Sequence, residues 1–131
     1  MLAPATLDAL TAVARQDTDI NALYVFGSQV TGSARAGSDI DVGVLYRQRQ
    51  PLTAPLALAE RLEAAAGGRV DVVDVARASA FLAYDIVRGE RIFCRDDVEA
   101  DRFELYVLRR AGDLLPFERE RQALLLGTPR R

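Results

Sequence analysis

Two aspartates two residues apart, Asp39 and Asp41, interrupt an apolar run that continues through Val42 and Val44, and a Gly-Ser pair, Gly27-Ser28, stands ten residues upstream of them. If the run is a strand, side chains alternate with period two, so both acids share one face while Ile40, Val42 and Val44 share the other. Two like charges about 4 Å apart repel by roughly 4 kcal/mol at an effective dielectric of 20. A pair held that way shares a proton or a cation, and the cation is the reading taken here. Gly27 permits a sharp turn out of a preceding strand, which would leave Ser28 at a helix N-terminus, where unpaired N–H groups and the helix dipole favour a phosphate. Carboxylates beside a bound phosphate are the oxygen-rich surroundings that Mg²⁺ prefers, and two such ions can stabilise both the attacking and the leaving oxygen of an in-line displacement.

Composition removes most other chemistries. All 17 basic residues are arginine, and there is neither lysine nor histidine. Without lysine there is no Walker-type phosphate loop and no Schiff base. Without histidine there is no Ser-His or Cys-His nucleophile and no His-ligated zinc. The single cysteine, Cys94, lies beside Phe93 in an apolar-flanked run and reads as a small core residue. A net charge of −2 gives no whole-protein field to recruit nucleic acid or an anionic membrane, and no direct nucleic-acid partner is expected. No stretch approaches 18 apolar residues and the N-terminus has no signal-peptide pattern, so no membrane association is expected and a reducing cytoplasm is the default location.

The elements that must hold the acids follow from periodicity. With 131 residues, half of them hydrophobic, the chain is expected to form one domain over 1–131, with a core at about 1–95 and a helical region at about 97–126. Residues 2–15 read as an amphipathic helix and 22–26 as a first strand ending at Gly27. A short helix at 29–33 and a loop at 35–38 would return the chain to a second strand at 39–46. Residues 47–53 read as an exposed connection. An alanine-rich helix follows at 54–66, with Leu56, Leu58, Ala59, Leu62 and Ala65 as its buried stripe and Gly67-Gly68 as its end. A third strand at 69–75, a helix at 78–88, a short extended edge at 90–94 and a long helical pattern at 97–126, broken or kinked at Pro116, complete the chain. The fold class is α/β (α+β): a small mixed sheet of three to four strands covered by helices, with the strand directions left open.

Gly27-Ser28, ten residues, then Asp39-Ile40-Asp41 resembles the G-S-x10-D-x-D signature of the DNA polymerase β-like nucleotidyltransferase superfamily. The small size and the Arg-Val-Asp-Val-Val-Asp-Val strand at 69–75 resemble the minimal nucleotidyltransferases, and the long C-terminal helical region resembles the antitoxins paired with HEPN-domain toxins. The resemblance implies that Gly27 and Ser28 hold nucleotide phosphates and that Asp39 and Asp41 bind metal, two Mg²⁺ ions, with ATP as nucleotide donor. It also implies a third carboxylate from a neighbouring strand, placed to bind metal and to accept a proton from the attacking hydroxyl. Asp71 is the choice, and Asp74, on the opposite face by alternation, is the substitute. Relatives often carry a basic residue after the Gly-Ser pair, where this chain has Gln29; Arg35 in the return loop is the candidate to compensate.

The last helix bears on the substrate. Phe103, Tyr106, Val107, Leu114 and Phe117 form one apolar stripe, and Leu105, Leu108 and Leu115 lie on another side. One stripe suffices to cover a sheet, so the second points either to a wide core face or to a protein partner or self-association surface. The antitoxin resemblance implies a HEPN ribonuclease toxin as that partner and transfer of AMP from ATP to one of its tyrosines, which neutralises it. Two other classes share these residues: a small-molecule nucleotidyltransferase of the aminoglycoside type, and a non-catalytic antitoxin that acts by binding alone.

Overall fold

The computed structural model describes residues 2–27 and 39–126, with side chains as far as Leu114. The helix expected at 29–33 and the loop expected at 35–38 lie outside the described residues. Helix α1, Pro4–Gln16, opens with proline in its first turn, where no N–H is needed. It leads into strand β1, Ile20–Phe26, which begins two residues earlier than its β-rich core suggested. Strand β2 is Ile40–Tyr46, helix α2 is Ala54–Ala66 and strand β3 is Val70–Asp74. A single 3-10 turn, Val75–Arg77, joins β3 to helix α3, Ala80–Val87, which is capped by the Ser79 hydroxyl accepting from the Leu82 N–H. Strand β4, Glu90–Cys94, and helix α4, Asp97–Leu126, follow.

The sheet order is β3-β2-β1-β4. β1 is antiparallel to both of its neighbours, whereas β2 and β3 are parallel because α2 carries the chain back across one face between them. Gly67 ends that helix in a left-handed conformation, φ +78°, and donates to the Glu63 carbonyl. The Glu63 carboxylate in turn accepts from the Val70 N–H at 3.1 Å, fixing where β3 starts.

Each face of the sheet has its own core. On one, Leu10 and Ala14 of α1 and Leu58 and Leu62 of α2 pack on Leu23, Val42, Val44 and Val70. On the other, Ala83 and Ile86 of α3 and Ala100 and Val107 of α4 pack on Ala22, Tyr24 and Val75. Within α2 the buried residues are Leu58, Ala59 and Leu62, while Leu56 is 68% exposed and Ala65 is also exposed. The expected stripe was too wide: Leu56 lies half a turn from Leu58, and one sheet face accommodates only the narrower row.

The last helix differs from expectation in two respects. It runs unbroken from Asp97 to Leu126, through Pro116. Proline removes the donor to the Gly112 carbonyl, and Gly112 lies in an exposed stretch where water can replace it. The core-facing row of α4 is Ala100, Phe103, Val107 and Ala111, whereas Tyr106 and Leu114 stand exposed with Leu105 and Leu108. Leu115 and Phe117 lie outside the described side chains. Below this row Tyr24, wholly buried in β1, donates its hydroxyl to Glu104 at 2.9 Å, and Arg91 of β4 donates to the same carboxylate at 2.6 Å, which fixes α4 against the sheet edge. Cys94 is a half-buried free thiol packed beside this second core, its pKa pushed up to about 11, first by burial. No described helix is long and apolar enough to cross a membrane.

Candidate active site

β1 runs toward the end of the sheet at which β2 and β3 both begin. Its last residue, Phe26, lies opposite Asp41 in the antiparallel register. Gly27 then turns the chain out of the sheet with φ +76°, a conformation that L side chains rarely adopt. A Cβ at this position would stand 2.7 Å from Asp41 Oδ2. Glycine is therefore required twice over, once by backbone conformation and once because an acid occupies the space a side chain would fill.

Asp39 directly precedes β2 and Asp41 is the second residue of it. In the parallel register Asp41 pairs with Asp71, Ile40 with Val70 and Val44 with Asp74. Period-two alternation puts Asp39 and Asp41 on one face, and the register adds Asp71 to it. Further along β2 that face is closed by α3: a Cβ on Gly43 would collide with Ile86 and touch Val75. The glycine lets the helix lie against the backbone, so α3 covers the face up to Gly43 and the three acids occupy the rim beyond it.

The electrostatics agree with this grouping. The Asp41 pKa is raised, first by burial, then by the negative charge of Asp71 and then by that of Asp39. Arg69, immediately before β3, places its Nε 3.7 Å from Asp39 Oδ1, with the two side chains 76% and 37% exposed. An exposed pair at that distance contributes about 0–1 kcal/mol. Among the described residues no group of three or more acids or cysteines is close enough to hold a metal ion by itself. An open arrangement suits Mg²⁺, which usually takes one or two carboxylates together with substrate phosphates and water. The donor set, all oxygen and anionic, fits such an ion.

Of the residues expected at the site, Asp39, Asp41, Asp71 and Gly27 are brought together at one sheet end. Asp74 is not: it sits three positions further along β3, where its carboxylate accepts from the Ala76 N–H and pairs with Arg77. Ser28 and Arg35 lie outside the described residues, as does Gln29. Two participants escaped the sequence reading. These are Gly43 of β2 and Arg69, neither of which was singled out from the sequence. The available signal for Arg69 was its place two residues before Asp71.

A mixed sheet carrying acids from two adjacent strands at one end, beside a glycine turn, is the geometry of a nucleotidyltransferase core. The family model described as Polymerase beta, Nucleotidyltransferase matches residues 8–98, from within α1 to the first residues of α4. The chain belongs to that family and, within it, to the MntA protein adenylyltransferases: it is 30% identical to the protein adenylyltransferase MntA of Shewanella oneidensis over 79% of this chain and 72% of that one. Among solved structures it is similar to a toxin–antitoxin crystallised with AMP-PNP, with 26% identity, TM-score 0.71, and coverage of 91% of this chain and 94% of that one. It also shares the fold of the MNT antitoxin in a complex with tri-AMPylated Shewanella oneidensis HEPN toxin, at 24% identity and TM-score 0.66 over 92% of each chain.

Proposed function

We propose that this chain is an antitoxin that transfers AMP from ATP to a tyrosine of a partner HEPN ribonuclease toxin and so neutralises it, in a Mg²⁺-dependent reaction. The observation that carries the reading is the register that sets Asp41 beside Asp71, with Asp39 on the same face and Gly27 against Asp41. Its relatives' activity and partners agree with it.

In this reading Asp39 and Asp41, with Asp71, hold the ions, and Gly27 and Ser28 bind the nucleotide phosphates, with Arg35 adding positive charge. Bound Mg²⁺ supplies charge neutralisation at the phosphates and at the attacking and leaving oxygens. The tyrosyl oxygen forms a bond to the α-phosphorus of ATP as the bond from that phosphorus to the bridging oxygen breaks. Pyrophosphate leaves with that electron pair. The tyrosyl proton goes to the Asp71 carboxylate, the acid at the exposed start of β3. Burial and like charge oppose ionisation of Asp41, and a cation held by these acids would relieve that opposition.

The test is incubation of the chain with Mg²⁺, α-labelled ATP and a partner HEPN-domain protein. Label is expected on a tyrosine of that protein and is expected to vanish with Asp39→Asn or Asp41→Asn. Neutralisation that survives both substitutions would mean inhibition by binding alone, and label on an aminoglycoside instead would mean a small-molecule transferase.

A further inference from the structure

Arg69 stands between two of the site acids. Its carbonyl accepts the N–H of Ile40 at 3.0 Å, which pins the residue beside the start of β2. Its side chain is exposed, reaches Asp39 through Nε at 3.7 Å and lies two residues before Asp71. Among the described residues it is the one cation paired with any of the three acids, since every other arginine ion pair is made with acids elsewhere. The chain has no lysine and no histidine, and Gln29 follows the Gly-Ser pair, so any positive side chain that meets a phosphate is an arginine.

Two cations compete for Asp39. A metal that takes a carboxylate oxygen displaces the guanidinium from it, and the displaced group stays tethered at the mouth of the site. The nucleotide that arrives with the metal brings phosphates, which a guanidinium binds through paired N–H donors more strongly than it binds a distant, exposed carboxylate. We propose that Arg69 is a phosphate-binding residue that exchanges partners, resting on Asp39 in the empty protein and moving to the triphosphate once metal and nucleotide are bound. This rests on reading the acids as a nucleotide-and-metal site.

The exchange gives Arg69 opposite effects on two ligands, which an ordinary surface ion pair does not. The experiment measures Mn²⁺ binding to the full chain without nucleotide by electron paramagnetic resonance of the free ion, and AMP-PNP binding in saturating Mn²⁺ by calorimetry. In Arg69→Gln, Mn²⁺ alone is expected to bind roughly 2–5-fold tighter, because its competitor is gone, while AMP-PNP binds roughly 5–10-fold weaker. Arg69→Lys, which keeps the charge without the fork, should fall between wild type and Arg69→Gln for AMP-PNP. If the wild-type chain binds AMP-PNP but Arg69→Gln leaves both affinities unchanged, or moves both in the same direction, the exchange is wrong and the nucleotide site stands. If the wild-type chain binds no AMP-PNP, the nucleotide reading and the exchange fall together.

Discussion

The two ends of the sheet use the same residue types in opposite ways. At the end away from the site, Asn21 is 3% exposed and fully engaged: its Nδ2 donates to the Asp96 carbonyl at 3.3 Å and its Oδ1 accepts the Asp96 N–H at 2.7 Å. Arg95 there donates to the carbonyls of Ala14, Arg15 and Ile20, tying the end of α1 to the start of β1. Asp74 caps the turn after β3. The exception is Tyr46, whose hydroxyl is buried with no partner among the described residues; its pKa is pushed up to about 12, first by burial and then by Asp74. At the site end, by contrast, Asp41 and Asp71 take no hydrogen bond from the described residues, and Asp41 is held where burial and like charge oppose its ionisation. Polar groups at one end are satisfied by the fold. At the other, Asp41 and Asp71 have no hydrogen-bond partner among the described residues, which suits a site that binds a ligand.

The two aspartates of β3 give the sharpest way to break this contrast, because one strand sets them at different ends and on different faces of the sheet. Asp71→Asn should lower AMP transfer by at least about 100-fold, as loss of a proton acceptor and metal ligand does. Asp74→Ala should leave transfer within about threefold and lower stability by about 1 kcal/mol, as removal of a capping carboxylate does. Initial rates of label transfer and urea midpoints on both variants decide it; a transfer defect that follows Asp74 would place the third acid on the wrong face. The next largest effect belongs to Asn21. Asn21→Ala removes the acceptor of the Asp96 N–H, while the Asp96 carbonyl keeps the Ala100 N–H, and should cost about 1–2 kcal/mol in urea unfolding, with transfer unaltered at temperatures where the variant is folded.

The acids were legible in the sequence because period two is a local rule: Asp39 and Asp41 must share a face in any strand that contains both. That Asp71 joins them was an inference from a resemblance, since no local pattern reveals a register across α2, and the observed pairing depends on where Glu63 and Gly67 stop that helix. Faces of helices were read less well. Tyr106 and Val107 are adjacent in α4, yet one is 57% exposed and the other buried; periodicity allowed a stripe through both, and the width of the groove between α3 and the sheet admitted only Val107. Of the break or kink expected at Pro116, the break does not occur: a proline costs a helix one bond and one clash, and the neighbouring turns carry α4 through. Arg69 was missed for another reason: its contact with Asp39 spans 30 positions of sequence and is set by the sheet, not by spacing.

The smallest expected effect is also the most direct measure of the strain held at the site end. Because the folded-state pKa of Asp41 is raised above its ordinary value of 3.8, the folded chain binds that proton more tightly than the unfolded chain does. The sign follows from linkage: stabilisation from protonated Asp41 is fully present below about pH 4 and is lost as pH rises through the higher folded value. Above that value the ionised acid weakens the fold, and removing the charge should restore what was lost. Asp41→Asn, inactive in transfer, is therefore expected to melt a few degrees above the wild-type chain at neutral pH in metal-free buffer, with the gap narrowing as pH falls toward 4. Saturating Mg²⁺ and AMP-PNP should close or invert the neutral gap, because they bind the wild-type acids and stabilise only that folded state. A variant that melts lower than wild type at neutral pH without ligand would show that Asp41 is satisfied in the empty protein, and the contrast between the two ends of the sheet would then fail at its central residue.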